Sequence, residues 1–158
     1  MLATILFTDI VDSTERAAEL GDLAWKRLLD RHDEICRATI ASFDGRMIKS
    51  TGDGVLATFD APGRALRCAD VLRSALAEAQ LPIRAGVHTG EIELRGQDVD
   101  GIGVHIAARV SALAGCGEVL ASRTVRDLVA GSDYVFASRG AHRLKGLPEK
   151  WELFAVEG

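Results

Sequence analysis

The spacing of hydrophobic and polar positions changes several times along the chain, and each change marks an element. Residues 2–11 are apolar and partly β-branched, interrupted by Thr8 and Asp9, which predicts a buried strand with a polar group near its C-terminal end. Asp12-Ser13-Thr14-Glu15 supplies N-cap oxygens and an acidic first turn, so a short helix is predicted over 14–20, stopped by Gly21. A second helix is predicted from near 22 to about 42, because Leu28, His32, Ile35, Cys36, Thr39, Ile40 and Phe43 recur on one face; Gly45 ends it. Residues 47–50 and 55–59 flank Thr51-Gly52-Asp53-Gly54 and predict a hairpin. Pro62-Gly63 opens a helix that turns Ala65, Leu66, Ala69, Leu72 and Leu76 inward and closes before Pro82. Residues 83–88 and 91–94 read as two strands around Thr89-Gly90. A Gly- and Asp-rich loop over 96–103 leads into a helix over 104–114 ended by Gly115. The remainder predicts a strand at 118–121, a helix at 122–129, and short strands at 134–137, 142–144 and 151–156.

This order embeds a β-α-β-β-α-β unit. It predicts an α+β, ferredoxin-like fold with an antiparallel sheet, helices packed on one face and a C-terminal αβ extension. The 158 residues make about one domain, 1–158, and 47% hydrophobic with 27% charged residues is the composition of an ordered globular chain. The net charge of −4, with no long basic run, excludes a nucleic-acid stripe, so any anionic ligand must be held locally. Cys36, Cys68 and Cys116 are odd in number and widely spaced, fitting neither a disulfide framework nor a zinc site, and a reducing cytoplasm is the simplest home. The N-terminal run lacks a basic region and meets Asp9 and Asp12, unlike a signal peptide. No segment approaches the roughly 18 apolar residues of a membrane span.

Two carboxylates stand out. Asp9 interrupts an apolar strand and Asp53 tips a glycine-flanked hairpin; if the hairpin lies beside the first strand, both converge at one sheet edge. Two buried like charges repel, and the resolutions are a raised pKa or a divalent cation bound with a phosphate ligand at the adjacent helix N-terminus. Taken singly, Asp9 also reads as a turn cap and Gly-Asp-Gly as a plain hairpin loop.

These residues carry a resemblance. Residues 7–14 (Phe-Thr-Asp-Ile-Val-Asp-Ser-Thr), 48–54 (Ile-Lys-Ser-Thr-Gly-Asp-Gly), 86–91 (Gly-Val-His-Thr-Gly-Glu), 98–101 (Asp-Val-Asp-Gly) with 104–109, and the ending through Leu144-Lys145-Gly146 resemble, in order, the class III adenylate and guanylate cyclase catalytic domain, above all its bacterial, actinobacterial-like members. The resemblance implies a head-to-tail homodimer whose active sites take residues from both chains. It implies two divalent cations, Mg²⁺ or Mn²⁺, on Asp9, Asp53 and the backbone carbonyl of Ile10, serving an in-line displacement that yields 3′,5′-cyclic AMP and pyrophosphate from ATP. Ser13 and Thr14 match the helix start that cradles phosphates, Arg109 a transition-state arginine, and Lys145 a lysine that reaches the terminal phosphates.

Lys49 and Asp98 match the purine-specifying pair contributed by the opposite chain. A Lys donor facing adenine N1 and an Asp acceptor facing the exocyclic amine complement ATP, whereas guanine presents the reverse pattern. His105 stands where most of the family carries an Asn that orients the ribose, Asp12 where relatives have Gly, and Glu91 where some have a phosphate-binding Arg. His32, His88, Trp25 and Trp151 read as structural. These departures motivate one alternative, a catalytically weak cyclase-homology module for nucleotide sensing or dimerisation; a second, a guanylate or relaxed purine cyclase, is not favoured by Lys49 and Asp98.

Overall fold

Alternation along β1 (Leu2–Ile10) sends Leu6 and Ile10 to one side and Ala3 and Ile5 to the other, all of them buried, so this strand needs cover on both faces. In the computed structural model, which describes residues 1–157, the rest of the chain supplies that cover. The elements follow as α1 (Ser13–Leu20), α2 (Asp22–Ser42), β2 (Arg46–Ser50), β3 (Gly54–Phe59), α3 (Pro62–Glu78), β4 (Ile83–Glu91), β5 (Glu93–Arg95), β6 (Asp98–Asp100), α4 (Ile102–Ala112), β7 (Val119–Ser122), α5 (Arg123–Leu128), β8 (Val135–Arg143) and β9 (Lys150–Glu157).

One seven-stranded sheet runs β2-β3-β1-β4-β7-β9-β8, with β1 central and antiparallel to both β3 and β4. The first four strands are the ferredoxin-like unit that the order of elements predicts. The extension joins through a parallel β4–β7 pair, so the whole sheet is mixed. On one face Leu6, Val55, Ala57 and Val87 meet the apolar sides of α2 and α3, where Ile40, Leu66, Leu72 and Leu76 are buried. Each fully buried Leu there stabilises the fold by roughly 1.5–3 kcal/mol. The core unit thus carries its helices on one face as expected, and α4 is added on the other, where Ala107 packs with Ile5 and Leu56. The outer side of α4, through Ile106 and Val110, closes over Leu120, Leu144 and Leu153 of the extension.

Three boundaries differ from the pattern-based expectation. Thr89-Gly90 is no turn: β4 runs through it, because Gly90 pairs with Ala3 and the Thr89 hydroxyl shares a 2.8 Å hydrogen bond with that of Thr4. The loop expected over 96–103 contains β6, folded back on β5 as a separate two-stranded sheet. The strands expected at 134–137 and 142–144 are one strand, β8, with an irregularity between Ser138 and Ala141 that imitates a break.

His32 and His88 are buried and satisfied. His32 lies between the Asp33 carboxylate at 2.9 Å and the Cys36 thiol at 3.6 Å; His88 Nδ1 lies 2.7 Å from the Ser122 hydroxyl and its ring stands edge-on to Trp151. Trp25 packs partly buried against the α2–α3 core. Among the described residues no helix is long and apolar enough to cross a membrane.

Burial pushes the His88 pKa down from 6.5 to about 4. Between those values the unfolded chain binds a proton that the folded chain refuses, so this contribution to stability is complete above pH 6.5 and is lost as pH falls toward 4. Urea unfolding at pH 7 and pH 5 should show wild type losing about 2 kcal/mol through this residue, a loss absent in His88→Gln. Equal losses in the two proteins would contradict this assignment.

Candidate functional site

Strand register brings the first group of candidates together. Asp9 stands opposite Gly54 of β3 on one side and Arg84 of β4 on the other. A Cβ on Gly54 would sit 1.8 Å from the Thr8 carbonyl oxygen, so only glycine lets the hairpin tip close on β1. That closure places Asp53 beside Asp9: the Ile10 N–H donates to the Asp53 carbonyl at 2.7 Å, and the Ser13 hydroxyl donates to the Asp53 carboxylate at 3.0 Å. Burial, and then the neighbouring Asp53 charge, raise the Asp9 carboxyl from 3.8 to about 6, against the opposing pull of the Arg84 guanidinium.

The loop from β1 to α1 is strapped on both sides. The Val11 N–H donates to the Pro82 carbonyl at 2.9 Å, while Arg16 donates from Nε to the Val11 carbonyl at 3.1 Å and from Nη1 to the Gln80 carbonyl at 3.0 Å. Asp12 sits at the N-cap position in the left-handed region, φ 56 and ψ 38, and its side chain caps nothing. The capping role expected of it is therefore corrected: the position demands a positive φ, which Asp tolerates better than most residues. The first N–H groups of α1, from Ser13 and Thr14, have no acceptor within the helix, and both residues line a hollow of about 400 Å³ bordered by Trp25, Thr51, Gly52 and Asp53.

A second group forms on the sheet face that carries α4. Strict alternation from Met47, opposite Ala57, would put Lys49 opposite Val55, on the α2–α3 side. A bulge at Ile48 instead puts Lys49 opposite Leu56, on the side where the β5–β6 hairpin folds over. There the Lys49 ammonium donates to the Asp98 carboxylate at 3.2 Å, across 49 residues of sequence. Asp98 is held below the usual carboxylate range, first by the Val99 N–H at 2.7 Å and then by Lys49. Both side chains are about half exposed, at 46% and 52%.

The third group lies along α4. His105 and Arg109, one turn apart, share a stripe of the helix. His105 Nε2 lies 2.9 Å from the Lys145 carbonyl in the β8–β9 turn, and Arg109 Nε is buried without an acceptor. Lys145 is exposed, and among the described residues neither it nor Arg109 has an ion-pair partner. Glu91 lies at the end of β4 remote from Asp9, opposite Leu2.

Among the described residues no hydrogen bond or ion pair joins these three groups, and no cluster of three or more His, Cys, Asp and Glu side chains exists. The first group still fits a hard divalent cation. Burial first, and then the charge of its neighbour Asp53, disfavour the ionised Asp9 carboxyl, and a cation between the two oxygen-donor carboxylates relieves both costs. A larger hollow of about 680 Å³, between α5 and β9, holds none of the candidate residues. Sequence reasoning missed Arg84 and Arg16. Arg84 carried the same signal as Asp9, a charge inside an apolar strand; Arg16 acts through main-chain carbonyls that no side-chain pattern announces.

The adenylate and guanylate cyclase catalytic domain profile matches residues 2–158. "Putative adenylate cyclase 3" of Rhizobium meliloti is 34% identical over 155 residues, a match covering 92% of this chain and 26% of that protein; the chain thus spans about a quarter of that relative's length. A crystal structure of an "Adenylate/Guanylate Cyclase/Hydrolase" from Silicibacter pomeroyi is similar at 27% identity and a TM-score of 0.85, covering 98% of this chain and 95% of that one. The adenylyl cyclase CyaB from P. aeruginosa shares the fold at a TM-score of 0.88 and 22% identity, over 99% of this chain and 94% of that one. With the matched profile running from β1 to the end of the extension, the chain belongs to the class III adenylate and guanylate cyclase catalytic domain family.

Proposed function

We propose that the chain is an adenylate cyclase, converting ATP to 3′,5′-cyclic AMP and pyrophosphate at sites shared between two head-to-tail copies of itself. The observation that carries the choice of ATP is the Lys49–Asp98 pair. A bulge and a separate hairpin are both needed to bring this donor and acceptor within 3.2 Å. Lys49 donates to adenine N1 and Asp98 accepts from the 6-amino group; guanine would set N–H against ammonium and carbonyl against carboxylate. The self-association rests on the separation of the three groups, since a second copy brings the Lys49 and Arg109 groups of one chain to the Asp9 group of the other.

Asp9 and Asp53, with the Ile10 carbonyl, would hold two divalent cations, Mg²⁺ or Mn²⁺, which supply Lewis-acid charge to the attacking 3′-oxygen and the triphosphate. Ser13 keeps the Asp53 carboxylate in place by its hydrogen bond. The α1 N–H groups at Ser13 and Thr14 receive phosphate oxygens. Arg109, whose Nε lacks an acceptor, and Lys145 meet the negative charge that grows as pyrophosphate departs. A cytoplasmic setting suits both the substrate and the three free cysteines.

Mass-spectrometric product analysis with ATP or GTP, each with Mg²⁺ or Mn²⁺, should give cyclic AMP from ATP, falling at least about a thousandfold in Asp53→Ala. Cyclic GMP as the main product would transfer the reading to a guanylate cyclase. No cyclic product from a dimeric sample would leave a nucleotide-binding module.

The raised Asp9 pKa carries a second test without turnover. A raised carboxyl favours the fold below pH 3.8, and that contribution is lost as pH rises through about 6, so at pH 7 metal-free Asp9 destabilises the protein by about 1 kcal/mol after solvent screening. Asp9→Asn should therefore raise the metal-free Tm at pH 7 and abolish the Tm increase that Mg²⁺ gives wild type. A Mg²⁺ shift that persists in the variant would remove Asp9 from the metal site.

Mixing two inactive variants tests the shared site. Asp53→Ala and Arg109→Ala chains, recombined in equal amounts, should recover about a quarter of the wild-type rate through heterodimers with one intact site. No recovery, with mixing verified, would place each site within one chain.

A further inference from the structure

The turn between β8 and β9 is held in an unusual way. Leu144 is buried under α4 among Ile106, Val110 and Leu153, and the Leu147 N–H donates to the Leu144 carbonyl at 3.0 Å, closing a four-residue turn with Lys145 at its corner. Gly146, third in the turn, has φ +89, as a type II turn requires. In that geometry the carbonyl between the two central residues, that of Lys145, points out of the turn with no partner inside it. His105 meets it: Nε2 lies 2.9 Å from the Lys145 oxygen. A carbonyl only accepts, so Nε2 carries the proton and donates, in the neutral ring as in the charged one. A Cβ on Gly146 would approach the same Nε2 at 3.2 Å, so the turn and the ring are fitted to each other.

One turn along the same stripe of α4 stands Arg109, with its buried and unpartnered Nε. The tether from His105 therefore fixes the backbone of a residue whose exposed ammonium has no ion-pair partner among the described residues against the helix that carries Arg109. We infer that His105 is a positioning residue: it clamps the Leu144–Leu147 turn to α4 and so holds Lys145 beside Arg109 as one cationic unit for the nucleotide's phosphates. This rests on the reading of the chain as a nucleotide cyclase, and it gives His105 a task other than orienting the ribose.

Side-chain reach separates the two tasks. Glutamine places an N–H donor about where histidine places Nε2, whereas asparagine falls short of the Lys145 carbonyl but would reproduce a short ribose contact. The experiment compares wild type, His105→Gln, His105→Asn and His105→Ala, each with its thermal melt recorded. Limited trypsin digestion, read by mass spectrometry as cleavage after Lys145, follows the clamp without any turnover. Loss of one hydrogen bond should speed that cleavage about fivefold to tenfold in His105→Ala and His105→Asn and leave His105→Gln near wild type. In steady-state assays kcat/KM for ATP should fall by a similar factor in the Ala and Asn variants and recover in Gln. His105→Ala should cost nothing further in a Lys145→Ala background, as expected of residues acting through one another.

Equal cleavage after Lys145 in all four proteins would overturn the clamp. Full activity in His105→Asn with loss in His105→Gln would overturn it in favour of the ribose. Additive losses with Lys145→Ala would show that His105 does not act through the turn. If wild type makes no cyclic nucleotide, the functional reading fails by that result, and the cleavage rates alone decide whether His105 clamps the turn.

Discussion

The candidate site depends on a single closure, the hairpin tip at Gly52–Gly54 lying against the end of β1. The Ile10 N–H to Asp53 carbonyl bond at 2.7 Å seals it, and the missing side chain of Gly54 permits it. Without the closure Asp9 and Asp53 would have no reason to be neighbours. With it, two carboxylates are forced together at the end of a pair of fully bonded strands, and the sheet offsets the repulsion. Six paired positions between β1 and β3 and nine between β1 and β4 anchor the strand whose end carries Asp9. Burial and, after it, the unrelieved Asp53 charge are felt in the resting protein as an Asp9 carboxyl whose pKa is raised to about 6. The scaffold overdetermines a local geometry that the charges alone would not choose.

From that fixed point the second and third groups are set by irregularities in otherwise regular elements. The Ile48 bulge costs β2 one ladder position and turns Lys49 from the helix-covered face to the face where Asp98 waits. An edge strand can accept such a defect, since its outer side has no partner whose register would be spoiled. The β5–β6 hairpin, with one buried residue, Val99, is anchored by packing on the Ile5 and Leu56 cluster rather than by its own three-residue strands. Both features spend regularity to aim a side chain.

How much of this was legible follows from the range of the forces involved. Elements set by hydrophobic period were read closely: the inward face of α3 and the buried part of α2 are the residues that the 3.6 spacing selects. Asp9 and Asp53 were legible because charge in an apolar strand and Gly-Asp-Gly are local signals. The continuity of β4 through Thr89-Gly90 was not, because it depends on a hydroxyl pair and strand pairing with β1, some 85 residues away. Nor was the Ile48 bulge, since alternation in a five-residue strand cannot show which position is inserted. The pairing of Lys49 with Asp98 entered through family resemblance alone; nothing in the spacing of the two residues implies contact.

The departures from the family pattern become intelligible in the same physical terms. Asp12 occupies a position whose φ of 56 suits glycine, and a left-handed non-glycine residue costs about 1–2 kcal/mol, less for Asp than for most. That strain is held by bonds on either side of it, from Val11 to Pro82 and from Arg16 to Val11 and Gln80, so the loop keeps its path when the residue type changes. The carboxylate, which caps nothing, then stays beside the start of α1 as added negative charge. Arg84, facing Asp9 across the β1–β4 ladder, is a positive charge that acts in the opposite sense on the Asp9 carboxyl at this sheet edge. Backbone geometry therefore accounts for why Asp can stand at residue 12, and electrostatics for the consequence: a third carboxylate near Asp9 and Asp53 makes this end of the sheet more negative and raises the demand for positive charge beside it.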